Sequence, residues 1–124
     1  MRLEIIVPGR PLPQPKPRTQ GHRRFYPATY LAYRDDVRDA AQVVACELED
    51  RGEPWDAMRR RYAVHARFWM PDRRRTDIDR LIATQLDALV RAGVLEDDRF
   101  VDELTAKRGI DAARPRVEIG VVRL

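Results

Sequence analysis

Four aspartates in the middle of the chain have the residue type and the spacing that could support metal-ion chemistry. Asp77 and Asp79 lie where an arginine-rich turn enters a predicted helix, and Asp97 and Asp98 lie just past the end of that helix. Hard cations such as Mg²⁺ need several oxygen ligands in a compact arrangement, and carboxylates from separate elements can provide them. The four side chains are therefore candidate metal ligands.

The geometry at the helix entrance decides whether two of these aspartates can act together. Side chains two residues apart in a regular helix point about 160° apart. Asp77 and Asp79 can therefore share an ion only if Asp77 lies at or before the N-cap, and Thr76 or Asp77 is the expected cap. On a helical wheel Asp79 falls beside Leu86 and Val90, at the edge of the apolar stripe, where an unpaired carboxylate would be costly.

A purely structural interpretation of the same acids is also open. Aspartates at a helix entrance stabilise it through capping and through the helix dipole. An acidic pair in a turn, such as Asp97 and Asp98, is commonly just solvated. Spacing alone does not decide between these interpretations.

Basic residues beside the acids favour the metal-site interpretation. Arg73, Arg74 and Arg75 directly precede the acids, and a proline-rich loop nearer the N-terminus carries Lys16, Arg18, His22, Arg23 and Arg24. Guanidinium groups bind phosphates through paired hydrogen bonds. A metal ion held by carboxylates beside such groups is the arrangement that phosphodiester hydrolysis requires.

Charge is distributed unevenly along the chain. The formal net charge is +4, but residues 1–34 hold seven basic side chains against one acid, and residues 59–75 again hold seven against one. The residues between these two segments are mainly acidic. This pattern indicates a polarised surface whose positive side suits a polyanion such as nucleic acid. The alternative is that the basic residues only keep a small protein soluble.

Length and composition predict one domain over residues 1–124 with a single core. No apolar run approaches the ~20 residues of a membrane span, and none near the N-terminus resembles a signal peptide. Cys46 is the only cysteine, so the chain cannot form an internal disulfide. We therefore expect a cytoplasmic protein without a membrane partner.

Hydrophobic periodicity predicts an α+β fold with the order β-α-β-α-β-β. Strands are expected at residues 3–7, 61–70, 100–107 and 116–122, and helices at 29–49 and 77–91. The predicted apolar stripe of the second helix consists of Ile78, Ile82, Leu86 and Leu89. Six prolines exclude regular structure over most of residues 8–27. We expect a two-layer sandwich with a mixed sheet of about four strands and two main helices.

The segment around the four aspartates resembles the RusA family of Holliday junction resolvases. The similar motifs are an arginine-rich Pro-Asp turn, Asp-x-Asp, Asp-Ala-Leu on an amphipathic helix, a glycine-containing turn and Asp-Asp. They correspond here to Pro71–Arg75, Asp77–Asp79, Asp87–Leu89, Ala92-Gly93 and Asp97-Asp98. The basic, proline-rich residues 8–18 and 23–30 are similar too. Asp-x-Asp alone is unspecific, but the whole series at this spacing is specific.

The resemblance implies a structure-specific endodeoxyribonuclease that acts as a homodimer on four-way and other branched DNA, in recombination and repair. It implies that Asp77, Asp79 and Asp98 bind Mg²⁺, with Mn²⁺ as a substitute, and that two symmetric strands are nicked. Contacts to DNA are expected from Lys16, Arg18, Arg23, Arg24, Arg73, Arg74 and Arg75. Because such proteins are often borne by prophages, the setting is expected to be a bacterial cell or a phage-infected host.

Two positions depart from the family pattern. Arg80 follows the second aspartate where family members commonly have asparagine, and Ala83 stands where they commonly have lysine. That lysine is expected to stabilise transition-state charge or to hold the phosphate, so its absence predicts slower catalysis unless another cation replaces it. Arg80 and Lys107, on the following strand, are the candidate catalytic cations.

Two other classes of function compete with the enzyme. A catalytically weakened or inactive protein of the same fold would bind junctions without cutting them, as Ala83 suggests. A protein-interaction domain would instead use its basic faces to contact an acidic partner. Salt-sensitive preference for four-way junctions over duplex DNA would argue against this third class, because phosphate contacts weaken steeply with ionic strength.

Overall fold

The computed structural model describes residues 1–16 and 18–124, with the backbone alone at Arg18 and Arg24. Its elements are β1 (Arg2–Pro8), β2 (Arg18–Gln20), β3 (Arg23–Phe25), α1 (Ala28–Asp50), β4 (Tyr62–Met70), α2 (Ile78–Arg91), a 3₁₀ turn (Asp98–Phe100), β5 (Val101–Ile110) and β6 (Arg116–Arg123). The predicted α+β class, the four long strands and both helices are confirmed. In this part of the chain no helix has the length and apolar character to cross a membrane.

Four strands form one mixed sheet in the order β1-β6-β4-β5. β6 pairs antiparallel with both of its neighbours, whereas β4 and β5 are parallel. A parallel pair needs a crossover between its strands, and α2 provides it because the chain runs from β4 through α2 into β5. The entrance of α2 therefore follows the end of β4, and its exit precedes β5.

One face of the sheet packs against both helices around a shared hydrophobic core. Alternate residues of the strands point into it, including the predicted β4 set Tyr62, Val64, Ala66 and Phe68. Val37 of α1 and Leu81 of α2 are fully buried in the same cluster. Burial of one such side chain contributes about 1.5–3 kcal/mol. The core thus fixes the position of α2 against the sheet.

The opposite face of the sheet carries charged and polar side chains. The ring of Trp69 lies between the guanidinium groups of Arg67 and Arg116, whose Cζ atoms are 4.8 and 5.2 Å from the ring centroid. Its indole N–H donates to Glu118 Oε1 at 2.6 Å. A guanidinium group over an aromatic ring forms a favourable cation–π interaction even at a solvent-exposed surface. We call this surface the open face of the sheet.

The buried face of α2 includes Ile82 and Leu89 of the predicted stripe, but it does not coincide with that stripe. Ile78 is 37% exposed, whereas Thr84 and Gln85 are fully buried. Thr84 Oγ1 donates to the Leu12 carbonyl at 2.9 Å, and Gln85 Nε2 donates to the Tyr33 hydroxyl at 3.2 Å. Polar side chains can be buried when they are hydrogen-bonded in this way.

A short hairpin in the proline-rich segment is a further feature that the sequence did not predict. β2 and β3 pair antiparallel, with Arg18 opposite Phe25 and Gln20 opposite Arg23. Three residues are too few for strand alternation to be visible in a sequence.

Candidate functional site

The entrance of α2 places the first two predicted ligands. Asp77 is the N-cap residue, with extended backbone angles of φ −72° and ψ 125°. This confirms the geometric condition under which Asp77 and Asp79 can turn toward a common ion. Within the described residues the Asp77 carboxylate accepts no capping hydrogen bond, and its Oδ2 lies 3.7 Å from Arg80 Nε. Side-chain capping therefore does not explain Asp77.

Asp79 lies in the first turn of α2, and its side chain is exposed. The prediction that an unpaired Asp79 carboxylate would carry a desolvation cost is wrong, because solvent reaches this carboxylate. A step of four residues turns an α-helix by about 40° and rises about 6 Å. Asp79, Ala83 and Asp87 therefore follow one another along one face of the helix.

An acidic cavity of about 350 Å³ lies along this face of α2. Its lining residues are Gln14, Ala83, Leu86, Asp87, Val90, Asp97 and Asp98. Among the described residues, this lining holds three carboxylates and no basic side chain. Such a composition favours a bound cation. The cavity also brings Asp98 to the helix face that carries Asp79 at its N-terminal end.

The acidic pair after α2 is electrostatically strained. Asp97 Oδ1 accepts a hydrogen bond from the backbone N–H of Arg99 at 3.0 Å, which lowers the Asp97 pKa. A hydrogen bond shared with Asp97, burial and the negative charges of Asp97 and Asp87 raise the pKa of Asp98. Raised pKa values of this origin report carboxylates that repel one another. A divalent cation would relieve that repulsion.

Asp87 is a cavity residue that the sequence placed only in a family motif. Its Oδ2 accepts hydrogen bonds from Arg34 Nη1 at 3.0 Å and from Arg91 Nε at 3.3 Å. Arg34 is only 8% exposed, so this ion pair between α1 and α2 is largely shielded from water. The signal that could have identified Asp87 is its spacing of eight residues from Asp79.

The N-terminal loop is fastened along α2 near the acidic cavity. Gln14 N–H donates to the Arg80 carbonyl at 3.0 Å, and Arg80 Nη1 donates to the Gln14 carbonyl at 3.3 Å. Lys16 follows two residues later and is exposed. The loop that carries predicted DNA-contacting residues is thus held beside the acids, and the Arg80 guanidinium is occupied in holding it.

The three predicted metal ligands do not meet in the single chain. Among the residues that the structure describes, no group of three or more histidine, cysteine, aspartate and glutamate side chains could hold a metal ion. Asp98 lies in the acidic cavity, whereas Asp77 and Asp79 lie at the helix entrance. The carboxylate oxygens fit a hard cation in donor chemistry. Their assignment as one ligand set stays a prediction.

The predicted DNA-contacting residues lie on the surface where the structure describes them. Arg73, Arg74 and Arg75 are exposed in the turn between β4 and α2, and Lys16 and Arg23 are exposed in the N-terminal segment. The side chains of Arg18 and Arg24 lie outside the described residues. The basic turn directly precedes Asp77, as the sequence requires.

Lys107 lies on the open face of the sheet. It pairs with Arg67 across β4 and β5, and it lines a surface cavity together with His65 and Glu118. The helices pack on the other side of the sheet. Within one chain this placement argues against Lys107 as the replacement for the family lysine.

The chain is similar to known proteins over nearly its full length. Residues 8–122 match the family described as Endodeoxyribonuclease RusA. The chain is also similar to the crossover junction endodeoxyribonuclease rusA of Enterobacteria phage HK97, with 26% identity over 121 residues, covering 98% of this chain and 94% of the phage protein. The matched region includes the N-terminal loop, the basic turn, both acidic segments, β4, β5 and all of β6 except Arg123, but only the last residue of β1.

Proposed function

Because this chain belongs to the RusA family of endodeoxyribonucleases, we propose that it resolves four-way DNA junctions by hydrolysing phosphodiester bonds in recombination and repair. The observation that carries the proposal is the family match over residues 8–122, since it includes every acidic and basic segment of the candidate site. The name of the phage relative refers to crossover junctions, which supports the substrate.

The metal ion belongs to the proposal as well. Although these side chains do not meet in the single chain, we assign Mg²⁺, with Mn²⁺ as a substitute, to the carboxylates of Asp77, Asp79 and Asp98. Such an ion, when bound, activates water and offsets charge on the scissile phosphate. The acidic cavity supports the assignment because its negative charge attracts a cation. Arg34 holds the neighbouring Asp87 in place from α1.

The active form in this proposal is a homodimer. A four-way junction has approximate twofold symmetry, and a twofold pair of chains presents two equivalent sites to two equivalent strands. Paired nicks at symmetric positions then follow from the assembly. The proposed setting is the cytoplasm of a bacterial cell or of a phage-infected host, where such DNA is formed.

A second candidate function is junction binding with weak or absent cleavage. Ala83 lines the acidic cavity, and among the described residues no lysine or arginine lines it in its place. A site without that cation would bind DNA through the basic turn and the N-terminal loop yet stabilise the transition state poorly. Junction binding without product under Mg²⁺ or Mn²⁺ would favour this candidate.

The test of the enzyme compares wild type with Asp79→Asn on labelled four-way junction and on linear duplex, with and without Mg²⁺. Asp50→Asn, at the exposed end of α1, is the matched control. We expect cleavage of the junction only, about 100-fold or more reduced by Asp79→Asn, since even partners that merely orient a metal ligand contribute about 10- to 100-fold. Wild type that leaves the junction intact at every enzyme concentration contradicts the proposal.

A further inference from the structure

A further cavity lies beside the α2 entrance, between the basic turn and the end of β5. Its volume is about 520 Å³, and four arginines line it: Arg73, Arg74, Arg75 and Arg108. The first three come from the turn after β4, and Arg108 comes from β5. We call it the arginine cavity. The family motifs do not include Arg108.

The positive charge of the arginine cavity is largely uncompensated. Asp72 is the one acid in the described lining, and Arg10 already binds its two carboxylate oxygens at 3.0 and 3.3 Å. That pairing, together with the Arg74 backbone N–H, lowers the Asp72 pKa. Within the described part of the chain, Arg73, Arg75 and Arg108 form no ion pair with an acid. An anion with several oxygens, such as a phosphodiester, complements this lining.

Strand register determines which of two adjacent cations reaches the α2 entrance. Arg108 pairs with the buried Phe68, so its side chain leaves β5 on the side of the sheet that carries the helices. Its Nη1 donates to the carbonyl of Thr76, the residue before Asp77. Lys107 pairs with Arg67 and leaves β5 on the open face. The side chains of Arg108 and Lys107 therefore lie on opposite faces of the sheet.

We propose that Arg108 is a DNA-contacting residue, which binds a backbone phosphate in the arginine cavity and so aligns the strand beside Asp77. This inference rests on the proposed function. Arg75 lies two residues before Asp77, and two residues of extended chain span at most about 7 Å, so the basic turn lies close to the helix entrance. A phosphate held by Arg108 and the basic turn then has its near neighbours at the helix entrance.

The test measures binding of labelled four-way junction without divalent ions, at several salt concentrations. Arg108→Ala is compared with Lys107→Ala, which removes the neighbouring charge from the open face. Loss of one phosphate contact reduces the slope of log K against log salt by about 0.9 and weakens binding about fivefold to tenfold near 0.1 M salt. We expect these changes for Arg108→Ala and wild-type behaviour for Lys107→Ala.

Arg108→Gln separates a phosphate contact from a structural role. Glutamine keeps a donor for the Thr76 carbonyl but has no charge, so it should show the same loss of slope as alanine. Arg108→Lys keeps the charge and should keep most of the slope. Circular dichroism and thermal unfolding establish that each variant is folded.

Three outcomes overturn the inference. If Arg108→Ala binds the junction with wild-type affinity and salt slope, Arg108 does not contact a phosphate. If Arg108→Gln keeps the wild-type slope, only the hydrogen bond to the Thr76 carbonyl is important. Equal losses in Lys107→Ala and Arg108→Ala show that the arginine cavity is not the site. Junction cleavage by wild type alongside any of these results leaves the proposed function intact, whereas wild type that binds no junction overturns both.

Discussion

Ala83 is the residue at which this chain departs most clearly from its family. It lies one helical turn after Asp79 and one before Asp87, on the lining of the acidic cavity. Neither proposed substitute is well placed, because Arg80 is engaged by Gln14 and Lys107 lies on the open face of the sheet. The acidic cavity therefore lacks, within the described residues, a cation of its own.

Restoring that cation should accelerate cleavage. We expect Ala83→Lys to raise the single-turnover rate of junction cleavage by at least about tenfold, equivalent to about 1.4 kcal/mol of transition-state stabilisation. Ala112→Lys, on the exposed turn before β6, is the matched control and should leave the rate unchanged. Equal rates for wild type and Ala83→Lys, with binding intact, would show that this position is not what limits the chemistry.

Sequence patterns predicted some site residues well and others poorly, for physical reasons. The extended backbone of Asp77 could be predicted because a shared ion and helical geometry together demand it. Asp79 was wrongly expected to be shielded from water, because a wheel does not show where the core ends. Whether Lys107 or Arg108 faces α2 depends on the pairing of β5 with β4, which no local pattern reveals.

The contact between α1 and α2 fixes the position of the candidate site. Tyr33 of α1 contacts the buried Gln85 of α2, and Arg34 binds Asp87, two residues further along α2. The sequence predicted both helices from their periodicity and placed Ile82 and Leu89 correctly on the buried face of α2, but it did not place Thr84 and Gln85 there. The reason is that Thr84 and Gln85 are buried through hydrogen bonds to partners far away in sequence.

The buried Tyr33 gives this contact a pH dependence. Burial raises the Tyr33 pKa from 10.0 to about 12, so the neutral phenol stabilises the folded state fully below pH 10 and loses this effect as the pH rises toward 12. We expect the free energy of unfolding to fall over that range by up to about 1.4 kcal/mol per pH unit for this group. Burial also raises the pKa values of Tyr30 and Tyr62, which adds to the fall.

The variant Tyr33→Phe measures how much of the pH dependence of stability comes from Tyr33. Urea unfolding at a series of pH values should show a shallower decline above pH 10 in the variant, whatever its stability at neutral pH, because the titrating hydroxyl is gone. A decline as steep as that of wild type would mean that Tyr33 does not carry the effect.

In the whole molecule, the proposed homodimer would provide the two nuclease sites that paired cleavage of a junction requires. The fold class followed from composition and periodicity, whereas the strand order β1-β6-β4-β5 did not, because non-local pairing leaves no mark on a single sequence. The oligomeric state likewise could not be predicted from the sequence, since the self-complementary surfaces of a twofold dimer have no simple sequence pattern. It must be tested through the symmetry of the products.

Mixed dimers provide that test. A dimer with one wild-type and one Asp79→Asn chain should nick one strand of a cruciform plasmid and release nicked circles, because one of its two sites is inactive. Wild-type dimers should release linear DNA. Linear product from purified mixed dimers at the wild-type yield would show that the two nicks do not require two intact sites.

In the proposed function, Asp77, Asp79 and Asp98 together hold one divalent ion. The most direct measurement is Mn²⁺ binding followed by electron paramagnetic resonance at protein concentrations that favour the dimer. We expect saturable binding by wild type, loss of binding in Asp98→Asn, and retention of binding in Asp97→Asn, where asparagine can still accept the hydrogen bond from Arg99. Unchanged Mn²⁺ binding in Asp98→Asn would contradict this assignment.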